Sequence, residues 1–390
     1  MKKLVFLLLL IIVIFISIDS DPKKTFKENN SFFEERGVFI SYIDYSTLKG
    51  KNKDEMQTII SQMVNEISYF GLNSIILQTN PFSDAIYPSK VYKSSHTVVY
   101  EEGDSLPIDI LKCFIEKAKE KDISVYAWVN PYRIRNDNNT GDINKKTYYY
   151  KWLKTDNIQI TDDGIFLNPA SSEVLDYIIK GLKELCQNYD IKGVIYDDYY
   201  YPNDTIDLKT YDKTDKELNL KEYRINNINR LIEFSYDAIK SINKDIKFGL
   251  SPAGNIEYNL DREYLDIKSV LKSDKIDIII PQLYYGFNNQ NKPYITTLND
   301  WSTLNINNKK LYVALSLYKS GKIDSYAGSG ENEWLENSNI LKKQIIVSRN
   351  VKNYKGFFIF RYEYLFDIHN NHNLNKEINN LQKLLNSEKQ

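Results

Sequence analysis

Eight short apolar runs, each rich in β-branched or aromatic residues, recur along the chain with longer stretches between them that carry apolar residues at three and four spacing. The runs are GVFISYID (37–44), NSIILQT (73–79), ISVYAWVN (123–130), GVIYDD (193–198), IKFGLSP (246–252), IDIIIPQLY (276–284), KLYVALSLY (310–318) and GFFIFRYEY (356–364). Helical patterns between them include MQTIISQMVNEISYF, LPIDILKCFIEKAKEK, SSEVLDYIIKGLKELCQNY and YRINNINRLIEFSYDAIKSI. A shorter helix is expected over 262–272, a weak one near 295–305, and others at 333–350 and 374–386. Near-continuous apolar strands alternating with helices require a parallel sheet covered on both faces. Eight such units predict an α/β fold, a single-domain (β/α)8 TIM barrel over 36–390.

The N-terminus reads differently. Lys2 and Lys3 precede an unbroken apolar run from Leu4 to Ile16, with Ser17 and Ile18 after it. That is shorter than the roughly 20 residues of a full span and fits a signal-peptide core. Residues 1–20 are expected to be a signal peptide or an N-terminal membrane anchor, 21–35 a polar spacer, and the barrel to be exported, with the membrane touched only through the N-terminal segment. A formal net charge of −1 over 390 residues gives no general attraction to nucleic acid. Only Cys113 and Cys186 occur, both inside apolar helical patterns, and read as buried free thiols.

Barrel chemistry sits at the C-terminal ends of the strands and in the loops that follow. Asp44 ends the first run; the second carries Gln78 and leads to Asn80; Asn130 ends the third, with Tyr132 and Arg133 beyond; Asp197 and Asp198 end the fourth. Ser251, then Gln282 with Tyr284, then Ser316, then Arg361 with Glu363 complete the rim. The adjacent aspartates stand out, because desolvating one carboxylate is costly and a second beside it makes ionising both harder. Successive strand residues face opposite ways, so both reach one pocket only if the strand breaks there, as Tyr199 to Pro202 suggests.

The series RGVFISYID, LNSIILQTNPFSDAIYPS, VYAWVNPYR, GVIYDDYYYP, FGLSPAGN and IIIPQLYYGF resembles, in order and spacing over about residues 36 to 365, the glycosyl hydrolase-like 10 family of bacterial exported proteins. The resemblance implies a barrel glycosidase acting on peptidoglycan strands or a related cell-wall polysaccharide, without a cofactor. By position it matches Asp197 and Asp198 on the fourth strand, Asn130, Tyr132 and Arg133 on the third, and Gln282 and Tyr284 on the sixth. Two positions depart from the family pattern: Ile195 stands where a polar residue, often His, is usual, and Tyr285 replaces a frequent Trp.

Glycoside cleavage needs a carboxylic acid to protonate the leaving oxygen and a second group to stabilise or attack the oxocarbenium-like centre. Paired carboxylates supply the acid, because each raises the other's proton affinity. On amino-sugar glycans the substrate's 2-acetamido group can act as nucleophile, leaving Asp197 and Asp198 as acid and orienting carboxylate. The competing reading takes Glu363 as the second catalytic carboxylate, against a role as ion-pair partner of Arg361 or Arg133; Asp44 either takes part or only orders the rim. Gln78, Asn130, Gln282 and Arg133 are candidate polar contacts to substrate, and Tyr132, Tyr200, Tyr284 and Tyr285 candidate stacking platforms. Trp128 lies within a strand and reads as core. A non-catalytic glycan-binding protein is the main alternative and a polysaccharide deacetylase the lesser one, since the latter needs histidine ligands and only His96, His369 and His372 occur.

Overall fold

The computed structural model describes residues 33–387 other than 306 and 308. The expectations for the first 32 residues, signal peptide or anchor and most of the spacer, lie outside them. Among the described residues there are eleven strands: β1 (Glu35–Ile40), β2 (Ser74–Asn80), β3 (Ser124–Val129), β4 (Arg133–Arg135), β5 (Ile158–Thr161), β6 (Gly164–Leu167), β7 (Gly193–Tyr196), β8 (Lys247–Leu250), β9 (Ile278–Ile279), β10 (Lys310–Ser316) and β11 (Tyr354–Phe360). Eight of them, in the order β1-β2-β3-β7-β8-β9-β10-β11, close into a parallel barrel, and all eight fall on the runs expected from the sequence. The spacer ends earlier than expected: β1 already includes Glu35, and Glu34 is buried, held by Arg36, Arg349 and Tyr354.

The crossover helices form where the 3.6-residue period is clean and the ends are capped. Helix Lys53–Phe70 starts on a reciprocal Asn52–Glu55 capping box, buries Met56, Ile60, Met63, Val64, Ile67 and Phe70, and stops at Gly71 with φ 96°. Helix Leu220–Ile242 uses the same device through Asn219 and Glu222. Helices Ile110–Lys119 and Ser172–Asn188 open on Asp109 and Ser171 side chains that accept from the third residue on.

Inside the barrel, Phe39, Ile76, Tyr126, Trp128, Ile195, Ile278, Tyr312, Ala314 and Phe358 form a separate core. Gly37 makes room for it: a Cβ there would lie 2.1 Å from the Phe358 ring. At the N-terminal end of the barrel the buried Glu35 carboxylate accepts from Ser74, Tyr126 and Tyr312 hydroxyls at 2.7 Å each.

Differences from the sequence expectation in the strands and loops have local causes. The sixth strand shrinks to β9 because Pro281 has no N–H to give a ladder; the chain continues only as a bridge from Gln282 to Ala253 and Ala314. The eighth ends at Phe360, and Glu363 belongs to a short helix, Tyr362–Phe366, while Asp44 opens a 3-10 turn, Asp44–Leu48. Part of what reads as one long loop after β3 is an antiparallel sheet, β4-β6-β5, whose β5–β6 hairpin turns at Asp162 and Asp163 before Gly164.

Candidate active site

β7 ends at Tyr196, so Asp197 and Asp198 lie just past the strand, where the alternation of faces no longer holds. Both line one cleft of about 400 Å³ at the C-terminal rim, with Ser41, Tyr42, Gln78, Trp128, Arg133, Tyr199, Ser251, Gln282, Tyr284, Tyr318, Phe360 and Arg361 among its walls. They are the only carboxylates among the described residues that line it.

The two aspartates have different surroundings. Asp197 is 5% exposed; Trp128 Nε1 donates to its Oδ2 at 2.9 Å, and Asn130 Nδ2 lies 2.7 Å from both oxygens. A relay fixes that amide: Tyr42 N donates to Gln78 Oε1, Gln78 Nε2 to Asn130 Oδ1, and Arg133 Nη2 to the same Oδ1. With its oxygen occupied by donors, Asn130 must turn its N–H groups to Asp197. Asp198 receives one side-chain hydrogen bond, from Gln282 Nε2 at 3.1 Å, which also reaches Ser251 O.

Burial raises the proton affinity of both. On Asp197 it is opposed by the Arg133 charge and by the Asn130 and Trp128 hydrogen bonds. On Asp198 burial is reinforced by the charge of Asp197, and its carboxyl is pushed up to about 7. The donors gathered on Asp197 favour its ionised form, so the pair holds its proton on Asp198 around neutrality.

Of the residues expected at the site, Gln78, Arg133, Asp197, Asp198, Gln282 and Tyr284 meet at this cleft, with Asn130 directly behind Asp197. The others lie elsewhere. Tyr132 and Tyr200 are 2% and 0% exposed and pack in the core between barrel and helices, so neither presents a face to a ligand. Tyr285 is half-buried outside the cleft lining. Asp44 and Glu363 line a neighbouring groove. Asp44 accepts from Ser41 N, Ser41 Oγ and Glu363 N and pairs with Arg361 Nη1 at 3.3 Å, while Glu363 pairs with Arg361 Nη2 at 2.5 Å. Arg361 stands between that carboxylate pair and the cleft it also lines.

Three features were not read from the sequence. Trp128 is core, as expected, yet its indole N–H also serves Asp197. Tyr199 is half exposed beside Asp198, with the Arg133 guanidinium 5.1 Å from its ring centre. Glu263, between two short helices, accepts the backbone N–H groups of Tyr200 and Tyr201. Among the described residues no group of three or more His, Cys, Asp or Glu is arranged to hold a metal.

A closed parallel barrel with paired carboxylates, amides and aromatic rings at its C-terminal rim is the frame of a TIM-barrel enzyme. The profile of the Glycosyl hydrolase-like 10 family matches residues 34–334, and the chain belongs to that family; its enzyme class is that of the glycoside hydrolases. Glycosyl hydrolase YngK of Bacillus subtilis (strain 168) is 28% identical over 355 residues, covering 84% of this chain and 68% of YngK. Glycosyl hydrolase DigH of Escherichia coli (strain K12) is 26% identical over 360 residues, covering 84% of this chain and 80% of DigH. The fold is also that of the PgaB (BpsB) glycoside hydrolase domain from Bordetella bronchiseptica, with a TM-score of 0.54 at 13% identity over 86% of this chain and 96% of that domain.

Proposed function

We propose that this glycosidase cleaves bacterial cell-wall or related amino-sugar glycan strands, with Asp198 as the acid and Asp197 as the orienting, stabilising carboxylate. The observation that carries the reading is the division of labour in the cleft: a proton held on Asp198 around neutrality beside an Asp197 surrounded by donors, with no other carboxylate among the described residues lining it. In the first step Asp198 gives its proton to the leaving oxygen as the bond to C1 breaks. The 2-acetamido oxygen of the same sugar closes on C1, and Asp197 accepts the amide N–H and balances the charge that develops. Water then opens this ring at C1, returning its proton to Asp198. A separate enzymic nucleophile is unnecessary, consistent with Glu363 lying across Arg361 from the cleft. Tyr199, Tyr284 and Tyr318 offer rings to sugar faces, and Ser251 Oγ, buried and unpartnered, offers a hydroxyl.

The reading includes export. Lys2 and Lys3 ahead of 4–18 would direct the barrel out of the cytoplasm, where its substrate is. A reporter fused after Asn30 that stays cytoplasmic would refute this part.

The test of function is the product pattern from purified, chelator-treated protein given isolated peptidoglycan strands with and without stem peptides, read by mass spectrometry. Shorter strands with new reducing ends are expected. Binding without products would favour a glycan-binding protein. Activity lost on chelation and restored by Zn²⁺, with acetate released, would favour deacetylation.

A further inference from the structure

We infer that Glu263 is a positioning residue for Asp198, holding the backbone just beyond the aspartate pair so that the acid stays in its desolvated place. This rests on the proposed role of Asp198. Glu263 follows helix Ile256–Asp261 and precedes helix Ile267–Lys272, some 60 residues from the turn it touches. Its Oε2 accepts from Tyr200 N at 3.0 Å and from Tyr201 N at 3.1 Å. These amides sit where the chain has left β7 and has no neighbouring strand to pair with, and buried N–H groups need an acceptor. A single carboxyl oxygen thus ties down the second and third residues after Asp198.

A carboxyl is a costly acceptor there, since Glu263 is 7% exposed and makes no ion pair among the described residues. The groups that act on it are Asp197 and Asp198 from the turn and the Tyr200 and Tyr258 hydroxyls. Arg224, beyond Tyr264, is committed to Asp207. Burial foremost, and then the charges of Asp198 and Asp197, push Glu263 up to about 8, above the Asp198 value of about 7. Around pH 7 Glu263 is therefore held largely neutral, anchoring the turn with little added negative charge in the cluster.

The test combines kinetics with carboxyl ¹³C titration of the full chain, resonances being assigned with Asp198→Asn and Glu263→Gln. In the wild type Asp198 should titrate near 7 and Glu263 near 8. Glu263→Ala should free the turn, let water reach Asp198, lower its midpoint by about one unit and reduce kcat by on the order of 10²-fold with KM little changed. Glu263→Gln, whose amide oxygen accepts the same N–H groups, should recover most of that loss and lack the step near 8. The inference is overturned if Glu263→Ala leaves the Asp198 midpoint and kcat unmoved, or if Gln is as damaging as Ala. Should the Ala variant fail to fold, Glu263→Gln carries the test: a folded Gln variant that loses as much kcat as Asp198→Asn overturns the inference equally. Failure of the acid reading itself is distinct: Asp198→Asn would then turn over normally, while the Asp198 midpoint would still report on Glu263.

Discussion

Trp128 donates its indole N–H to Asp197 at 2.9 Å while its ring packs among the side chains that fill the barrel, 5.7 Å from Phe39. One residue thus joins the apolar interior to the carboxylate above it. Trp128→Phe keeps most of the packing and removes the donor. A hydrogen bond to a charged group contributes about 1.5–3 kcal/mol, so turnover should fall roughly 10- to 100-fold as Asp197 gains proton affinity. An unchanged rate would show that the indole serves the core alone.

Asp197→Asn and Asp198→Asn should each keep the fold, since the amide is nearly isosteric and relieves the repulsion between neighbours. Each should lose about 10² to 10⁴-fold in activity, the range of a general-acid contribution. Substrates with activated leaving groups separate the two roles. They need no protonation, so they should rescue Asp198→Asn and leave Asp197→Asn impaired.

The pH profile follows from the Asp198 value of about 7, against an ordinary 3.8. The acid form is the active one, so kcat/KM should hold on the acid side of 7 and fall above it. Stability has the same sign. The folded state keeps a proton that the unfolded chain has released, so this contribution is full below about 4 and disappears as pH rises to about 7. Glu263, near 8, and Glu377, near 7, add in the same direction. Melting temperatures from about pH 4 to 8 should therefore decline more in the wild type than in Asp198→Asn. Parallel curves for the two proteins would refute the assignment.

Glu363→Gln serves as the contrast. Its carboxylate pairs with Arg361 outside the cleft, and losing it should reduce turnover less than about tenfold, the scale of a modest surface ion pair. A dead Glu363→Gln beside active aspartate variants would move the chemistry to the neighbouring groove.

The barrel was legible because each strand is a dense apolar run and each crossover has a clean helical period; the run 276–284 misled only in length, through Pro281. The pair at 197–198 was legible because two carboxylates ending an apolar strand is a locally unfavourable arrangement. Tyr132 and Tyr200 look like exposed loop tyrosines beside polar residues, whereas both loops fold back into the core. The β5–β6 hairpin left one faint signal, the polar Asp162-Asp163 pair followed by Gly164 between two short apolar runs. Glu263 left none, since its partners are backbone groups some 60 residues away, contacts that local pattern does not encode.

The filled barrel has a consequence for turnover. Below the aspartates lie Trp128, Phe39 and Phe358, and deeper still the Glu35 carboxylate is closed off by the three hydroxyls it binds. Packed side chains, not a polar path, lie between that carboxylate and the acid. In the mechanism proposed here, the proton Asp198 spends must come back through the mouth by which the sugar enters. A leaving-group strand that lingers in the cleft therefore delays the water that opens the ring and recharges the acid, as well as entry of the next strand.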